Sequence, residues 1–141
     1  MATERLVEDL FTFSRLLRPM RDSGMTPQQY WLMRHLRRAG SRSTGELAAA
    51  LGITTGSATV ACQRLEKAGL LSRERQLDDE RIVRVALTEQ GLAQIDALRK
   101  RRREVLTQLL EVLDLREQEE LQHMIDRLLE AAEAQGLGGD A

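Results

Sequence analysis

The strongest constraint on the fold is a pair of short helix signals that lie close together in the middle of the chain. Ser43 is followed three residues later by a glutamate, the spacing of a capping box, and the apolar residues after it end at Gly52. A second helix signal begins at Thr54 or Thr55 and ends at Gly69. Because only a tight turn separates two such short helices, the pattern predicts a helix-turn-helix.

Beyond Gly69 the hydrophobic pattern changes from a helical period to an alternation of apolar and polar residues. The alternation covers residues 70–76 and 81–87, and a polar stretch at residues 77–80 joins the two segments. Two strands with a short polar connection predict a β-hairpin. A helix-turn-helix followed by such a hairpin is the outline of a winged helix, which we place at residues 43–88.

Amphipathic helices are predicted on both sides of the winged region. The apolar spacing indicates one helix at residues 3–21 and another between Thr26 and Gly40. It also indicates a long helix after Thr88 and a last helix after Asp114. The predicted fold class is therefore mainly α with a small β-hairpin wing (α+β), a winged helix-turn-helix with flanking dimerisation helices.

The chain is short enough for a single folding unit. The apolar stripes of its first and last helices flank the winged region in sequence and can bury one another across a two-fold axis, so we expect a homodimer. The predicted parts are one unit over residues 1–141, a winged lobe at 26–98 with its wing at about 70–87, dimerisation helices at 1–22 and 99–135, and a disordered tail at 136–141.

The composition restricts the classes of function that the chain can have. No apolar run approaches the ~18 residues of a membrane span, the N-terminus has no secretory signal, and a single cysteine excludes an intramolecular disulfide. We therefore expect a cytoplasmic protein without membrane contact. No nucleophile and base stand at motif spacing, no phosphate loop is present, and His35 and His123 lie on different predicted helices. We expect neither an enzyme nor a cofactor or metal.

The net charge of −1 looks unfavourable for DNA binding, but the charge is unevenly distributed. Residues 110–141 hold nine acidic and two basic side chains, whereas residues 41–88 hold six acidic and seven basic ones. Screening limits the reach of exposed charges to roughly 10 Å, so acid held away from a contact face does not prevent DNA binding. The net charge therefore does not exclude a DNA-binding protein.

Several segments, in register, resemble the MarR family of winged-helix transcriptional regulators. They are Gly45-Glu46-Leu47-Ala48, residues 64–71 (RLEKAGLL), Asp79-Glu80-Arg81, and residues 85–91 (VALTEQG). The last two are similar to the family's wing-tip Asp-x-Arg and to the Leu-Thr-x-x-Gly that opens its long helix. The resemblance covers nearly the whole chain. It implies a dimeric regulator, in our interpretation a repressor released by a small-molecule effector, that binds a pseudo-palindromic operator in double-stranded DNA.

Three groups of residues are candidates for DNA contact. A recognition helix reads base edges with short polar side chains near its N-terminus, and a glycine there allows close approach. In the wing, Asp79 stands close enough to Arg81 to orient its guanidinium group for a narrow minor groove. The candidates are Thr54, Thr55, Gly56, Ser57, Thr59, Gln63 and Arg64 around the recognition helix, Ser43 and Thr44 before the first short helix, and Arg73, Arg75, Asp79 and Arg81 in the wing.

A purely structural interpretation of these candidates stays open. In it, Thr54 is only a helix cap, and Asp79 with Arg81 is a surface ion pair of little energetic value. One position also departs from the family, because Val60 stands where members commonly carry an arginine on the recognition helix. Direct guanine reading is therefore not expected there, and more weight falls on the hydroxyl groups and on Arg81.

The resemblance also implies a small aromatic or anionic ligand, which many family members bind between the dimer helices and the winged lobe. Phe13, Arg15, Trp31 and His35 are the candidate lining of such a pocket, although each is equally compatible with the core or the surface. The five basic residues 99–103 span more than one helical turn, so at least one of them must contact protein. Ion pairing with the acidic last helix is the favoured interpretation, and an anion-binding pocket is the other.

Two further alternatives concern regulation and function. Cys62 falls on the predicted inner face of the recognition helix, where an inert buried thiol is favoured over a redox sensor. A winged helix used only for contacts with other proteins is the alternative to DNA binding. The wing arginines Arg73, Arg75 and Arg81 favour nucleic acid.

Overall fold

Our computed structural model describes residues 1–17, 24–75, 78–79 and 81–137. These residues contain six helices and three short strands. The helices are α1 (Ala2–Leu16), α2 (Pro27–Ala39), α3 (Thr44–Leu51), α4 (Thr55–Lys67), α5 (Glu89–Leu110) and α6 (Leu115–Ala134). The strands are β1 (Arg42–Ser43), β2 (Leu71–Arg75) and β3 (Val83–Leu87). The chain divides into two compact units, Met1–Arg103 and Glu104–Ala141.

The helices α3 and α4 form the predicted helix-turn-helix. The Ser43 hydroxyl accepts a hydrogen bond from the Glu46 amide (3.1 Å), and the Thr54 hydroxyl accepts one from the Ser57 amide (3.1 Å). Each hydroxyl thereby caps the helix that follows it. Between the helices Gly52 adopts a left-handed conformation (φ 65°), which glycine tolerates best and which turns the chain sharply. The prediction is confirmed, with the first of the two candidate threonines as the cap.

The carboxylate of Glu46 has a role that differs from the predicted capping box. It lies 3.5 Å from the Arg42 guanidinium and 3.7 Å from that of Arg84. Both arginines belong to the sheet, so these ion pairs connect the start of α3 to the wing. A charged partner on a neighbouring strand competes here with the backbone amide that a capping box would use.

The three strands form an antiparallel sheet in the order β1-β3-β2. The strands β2 and β3 are the predicted hairpin, with Leu71 opposite Leu87. The strand β1 was not predicted, because two residues are too few to show an alternating pattern. Its Arg42 lies opposite Val85, and this pairing joins the segment before α3 to the wing.

The second hairpin strand is shorter than predicted at the wing tip. It begins two residues after Arg81, because the Arg81 amide donates to the Asp79 carboxylate (3.1 Å) and the Ile82 amide donates to the Asp79 carbonyl (3.0 Å). These local bonds form a turn in place of strand pairing. Residue 76 of the first predicted strand and residues 77 and 80 of the predicted tip lie outside the described residues.

The hydrophobic core joins α2, the helix-turn-helix, the sheet and the first half of α5. Its fully buried side chains include Tyr30, Leu32, Met33, Leu47, Cys62, Val85 and Ile95. The predicted inner face of α4 is confirmed, since all four of its residues are buried, namely Ala58, Ala61, Cys62 and Leu65. Burial of this face fixes α4 so that its other face points outward.

A close backbone approach fixes the junction between the wing and α5. Thr88 caps α5 as predicted, since its hydroxyl accepts from the Gly91 amide (3.0 Å) and donates to the Gly69 carbonyl (2.7 Å). The Thr88 amide donates to the Leu70 carbonyl (3.1 Å). Gly91 is buried, and a β-carbon on it would lie 2.1 Å from the Leu70 carbonyl oxygen. Only glycine fits this junction without a shift of the backbone.

The helices α1 and α6 both have apolar faces that the described chain leaves exposed. Neither helix contains a buried residue. The exposed apolar side chains are Leu6, Val7, Leu10, Phe11, Phe13 and Leu16 on α1, and Met124, Ile125, Leu128 and Leu129 on α6. The helix predicted at residues 3–21 is observed as α1, from Ala2 to Leu16. Residues 18–23 lie outside the described part of the chain.

Of the tail predicted at residues 136–141, residues 138–141 lie outside the described part. Within the described ranges, no helix combines the length and hydrophobicity that a bilayer span requires. In the same residues, no group of three His, Cys, Asp or Glu side chains is placed to hold a metal ion.

Candidate DNA-binding site

The outward face of α4 carries the polar residues that were predicted to read DNA. The opposite face is held in the core, so side chains three and four positions apart share the solvent side. The exposed residues are Thr54, Thr55, Gly56, Ser57, Val60, Gln63 and Arg64, and Thr59 is partly buried. The structure therefore brings the recognition-helix candidates together on one surface.

The hydroxyl groups near the start of α4 are already engaged in local hydrogen bonds. The Thr54 hydroxyl donates to the Ser57 hydroxyl (3.0 Å), and the Thr59 hydroxyl donates to the Thr55 carbonyl (2.8 Å). Since a hydroxyl has a single proton, Thr54 and Thr59 offer DNA only acceptor oxygens in this arrangement. Ser57 keeps its own proton for a phosphate or base acceptor.

A groove of about 570 Å³ lies beside this face of α4. It is lined by the start of α2 as well as by α4, through Thr26, Pro27, Gln28, Gln29, Gly56, Ser57, Val60, Ala61 and Arg64. The start of α2 was not among the sequence candidates. Its capping box, in which the Gln29 amide donates to the Thr26 hydroxyl (3.1 Å), indicates only a helix start. Sequence spacing carries no signal that this start lies next to α4.

Val60 is the large apolar side chain that this groove leaves open to solvent, at 46% exposure. An exposed aliphatic side chain gains from any contact that removes it from water. On a helix in the major groove, the apolar contact available is the C5-methyl group of thymine. The position is therefore suited to an apolar contact with thymine, in contrast to the hydrogen bonds that an arginine makes with guanine.

At the wing tip, the predicted contact between Asp79 and Arg81 is present. The Arg81 Nε lies 3.3 Å from the Asp79 Oδ1, and the same oxygen accepts the Arg81 amide at 3.1 Å. The Arg81 side chain is nevertheless 92% exposed. One end of the guanidinium group is thus oriented by Asp79, while its remaining donors face solvent.

The other wing arginines connect elements of the winged region. Arg73 on β2 pairs with Glu66 on α4. Arg84 on β3 donates to the Ser41 carbonyl (2.8 Å), besides its ion pair with Glu46. Arg75 is exposed near the end of β2. Contact of Arg73 and Arg75 with phosphate stays a prediction. The observed contacts of Arg73 and Arg84 hold the wing against α4 and α3.

Ser43 and Thr44, the candidates before α3, are partly buried. The Ser43 hydroxyl is used as the α3 cap, and its backbone lies in β1 opposite Arg84. A phosphate would therefore meet the backbone amides at the start of α3 more readily than the Ser43 hydroxyl. Their contact with DNA stays a prediction.

The four predicted effector residues fall on two different helices. Phe13 and Arg15 are exposed on α1, where Arg15 donates to the Thr12 hydroxyl (3.1 Å). Trp31 and His35 lie one turn apart on α2 and are partly buried. The described cavities contain none of the four in their linings. Their role as an effector site stays a prediction.

Trp31 is surrounded by basic side chains. Its ring packs edge to face against Tyr30, with centroids 5.2 Å apart. The guanidinium carbon of Arg34 lies 5.2 Å from the ring centroid, and that of Arg102 lies 5.6 Å from it. Arg102 belongs to the basic run 99–103, so the prediction that this run contacts protein is confirmed. Pairing of the run with the last helix stays a prediction.

Cys62 lies in the core, on the inner face of α4. Burial raises the pKa of its thiol, while the positive charge of Arg73 lowers it to a smaller extent and Glu66 raises it. A buried thiol with a raised pKa has little thiolate to react with oxidants. The geometry favours an inert thiol over a redox sensor.

Comparison with known proteins finds a family that is similar to the winged region. A sequence model of the MarR family matches residues 23–82, which include the helix-turn-helix and most of the hairpin. The chain is also similar to the HTH-type transcriptional repressor MdtR of Bacillus subtilis (strain 168), with 26% identity over 118 residues that cover 84% of this chain and 76% of that protein. The winged region of the chain therefore matches the MarR family. The resemblance predicted from its motifs is confirmed.

Solved structures show that this chain has the expected fold. The YusO protein from Bacillus subtilis superposes with a TM-score of 0.79 at 23% identity, covering 94% of this chain and 99% of that one. A mutant of MepR from S. aureus bound to an oligodeoxyribonucleotide superposes with a TM-score of 0.75 at 17% identity, covering 93% and 97%. The predicted fold class, mainly helical with a β-hairpin wing, is confirmed.

Proposed function

We propose that this protein is a transcriptional repressor of the MarR family that binds a pseudo-palindromic site in double-stranded DNA as a homodimer. Residues 23–82 match the MarR family, and the similar protein MdtR is a transcriptional repressor. The observation that carries the proposal is the outward face of α4, with Thr55, Ser57, Val60 and Gln63, presented beside a wing whose tip holds an oriented arginine. We expect a cytoplasmic location and no catalytic activity.

The contacts follow from the geometry of the two elements. A helix with one face fixed in a core can enter the major groove with the other, where Gln63 suits adenine and Val60 suits a thymine methyl group. Arg81 is exposed and already oriented, so it suits the negative potential of a narrow minor groove. The DNA-bound MepR relative is similar to this chain in fold, which supports the same mode of docking.

The dimer is supported by the exposed apolar faces of α1 and α6. Each face consists of several neighbouring large side chains, and none of them is buried within the described chain. Such faces are usually covered by a partner. A two-fold dimer would present two copies of α4 to half-sites roughly 10 bp apart. Light scattering should give twice the chain's 16.0 kDa, and a monomer mass would contradict the dimer.

Release of the repressor by a small aromatic or anionic ligand is part of the proposal. The support is the combination of the partly buried Trp31 ring with the guanidinium groups of Arg34 and Arg102. An aromatic ring beside arginines offers both stacking and charge to an anion.

Selection of bound fragments from the native genome tests the proposal, followed by fluorescence-anisotropy titration of a selected duplex and of a scrambled one. We expect the selected fragments to share an inverted repeat and to bind one dimer each. The affinity for them should fall steeply with salt, because phosphate contacts release counterions. The alternative function is a winged helix that contacts only proteins. Absence of binding to any duplex would favour that alternative.

A further inference from the structure

Two arginines and one glutamate form a charged cluster where β1 meets the start of α3. Arg42 lies on β1, Arg84 lies on the neighbouring strand β3, and Glu46 lies in the first turn of α3. The two carboxylate oxygens of Glu46 lie 3.5 Å from the Arg42 Nε and 3.7 Å from the Arg84 Nη1. Within the described residues, no other carboxylate forms an ion pair with either arginine. The cluster therefore holds two positive charges and one negative charge.

The Ser41 carbonyl brings the two guanidinium groups together. It accepts hydrogen bonds from the Arg42 Nη1 at 2.7 Å and from the Arg84 Nη2 at 2.8 Å. A carbonyl oxygen has two lone pairs, so these two bonds use its capacity. Two like charges held this close repel each other, and the single carboxylate of Glu46 offsets only one of them. A second anion at this place would complete the charge balance of the cluster.

The two arginines differ in the donors that remain for such an anion. Arg84 is engaged at all three nitrogen atoms, because its Nε also donates to the Ser41 hydroxyl (3.3 Å) and its Nη1 faces Glu46. In Arg42 the Nη1 is bonded and the Nε faces Glu46, while the Nη2 makes no hydrogen bond within the described residues. The Arg42 side chain is also 34% exposed. Arg42 is therefore the member of the cluster that can bind an incoming oxyanion.

The position of the cluster indicates which oxyanion this is. α3 is the first helix of the helix-turn-helix, and the first helix of such a motif crosses the DNA backbone when the second lies in the major groove. Ser43, the residue after Arg42, has its hydroxyl committed to the α3 cap. The backbone amides at the start of α3 are neutral, so the positive charge offered to a phosphate at this place comes from Arg42.

We infer that Arg42 of each chain binds one phosphate of the DNA backbone and that Glu46 positions its guanidinium group for this contact. The contact rests on the proposed DNA binding through α4 and the wing, and it adds a residue that belongs to neither element. Phosphate contacts fix the register of a protein on the duplex and carry no sequence information of their own. Arg42 therefore contributes to affinity and register and does not select bases.

Replacement of single backbone phosphates by neutral methylphosphonates tests the contact. A selected duplex is scanned one phosphate at a time, by fluorescence-anisotropy titration at fixed salt, with the unmodified protein and with Arg42→Gln. We expect one phosphate in each half-site at which the replacement weakens binding of the unmodified protein about tenfold, the lower end of the range for a hydrogen bond to a charged group. The same replacement should leave the affinity of Arg42→Gln nearly unchanged, because that variant has already lost the contact.

Glu46→Gln tests the positioning role. Removal of an acidic side chain near DNA also reduces general repulsion, so the overall affinity mixes two effects. The factor by which the methylphosphonate at the Arg42 phosphate weakens binding reports the contact alone, because both duplexes are compared on one protein. We expect this factor to be smaller in Glu46→Gln than in the unmodified protein.

Arg37→Gln is the matched control. Arg37 also pairs with a single carboxylate, that of Asp96, and its side chain is 42% exposed, close to the 34% of Arg42. It lies about 15 Å along α2 from Pro27, which lines the groove beside α4. This variant should keep the full methylphosphonate factor. Thermal unfolding of each variant checks that the fold is intact.

The contradicting results are distinct for each part. If the protein binds the duplex but every methylphosphonate has the same effect on Arg42→Gln as on the unmodified protein, the phosphate contact is refuted and DNA binding stands. Loss of the factor in Arg37→Gln as well would also refute it, because general charge would then explain the result. A full factor in Glu46→Gln would refute the positioning role. A protein that binds no duplex would contradict the proposed function and this contact together.

Discussion

Gly91→Ala is the substitution for which the structure gives the sharpest expectation. Gly91 is the third residue of α5 and is buried against the end of the segment that leads from α4 to the wing. An added β-carbon would lie 2.1 Å from the Leu70 carbonyl oxygen and 3.0 Å from its carbon, more than 1 Å short of ordinary contact with the oxygen. The obstacle is backbone, so no side-chain rotation can relieve it.

The cost has two parts. Overpacking of this kind costs about 1–3 kcal/mol when the surroundings shift. Any shift of Leu70 also strains the hydrogen bond that its carbonyl accepts from the Thr88 amide (3.1 Å), a bond worth roughly 0.5–1.5 kcal/mol. We therefore expect the free energy of unfolding to fall by about 2–4 kcal/mol, which is a large part of the ~5–15 kcal/mol of a typical domain.

Urea denaturation followed by circular dichroism measures this change, and Gly45→Ala is the matched control. Gly45 lies in the first turn of α3, where the nearest atom to an added β-carbon is the Ser43 hydroxyl oxygen at 3.9 Å. Alanine is the better helix former, so the control should be unchanged or more stable by up to ~1 kcal/mol. If Gly91→Ala were as stable as the control variant, the close approach at the wing junction would not exist as described.

Three further predictions concern α4. Thr54→Ala should lower the free energy of unfolding, measured by urea denaturation, by about 1 kcal/mol because the cap of α4 is lost. Thr54→Ser keeps a hydroxyl and should not lower it. An equal loss of stability in both variants would contradict the cap. Replacing the thymidine that Val60 contacts by deoxyuridine should weaken DNA binding, measured by anisotropy, about fourfold, which corresponds to the free energy of burying one methyl group. The same replacement should not change the affinity of the Val60→Ala variant. A deoxyuridine effect that persists in that variant would refute the contact. Cys62 in the folded protein should react with a thiol reagent far more slowly than in urea-unfolded protein, because burial shields the thiol and raises its pKa. Its rate should rise with pH as more thiolate forms. Equal rates in the folded and unfolded states would contradict its burial.

The local elements of the fold could be predicted because their signals lie within a few residues of one another. The cap of α4 at Thr54 and the capping box from Asp114 to Glu117 at α6 occur where the sequence places them. The inner face of α4 follows from helical spacing in the same way. The motif that ends in Gly91 was recognised from its resemblance to the family, and the structure gives its physical reason, a backbone contact with Leu70.

The features that sequence reasoning missed depend on contacts between distant residues. Strand β1 is two residues long and pairs with a strand some forty positions later, so no local pattern marks it. The ion pair of Glu46 with Arg84 and the approach of α2 to α4 beside Val60 are equally non-local. Sequence spacing assigns a residue to a face, and only the tertiary packing decides which faces meet.

Arg81→Ala tests most directly whether α4 and the wing bind DNA. Arg116→Ala on α6 is the matched control, because Arg116 also pairs with one carboxylate at 3.3 Å and its side chain is 88% exposed, close to the 92% of Arg81. In a fluorescence-anisotropy titration of a selected duplex at fixed salt, we expect Arg81→Ala to weaken binding by about 1–3 kcal/mol, roughly five- to 150-fold, and Arg116→Ala to match the unmodified protein. Equal affinities for Arg81→Ala and Arg116→Ala would contradict the account.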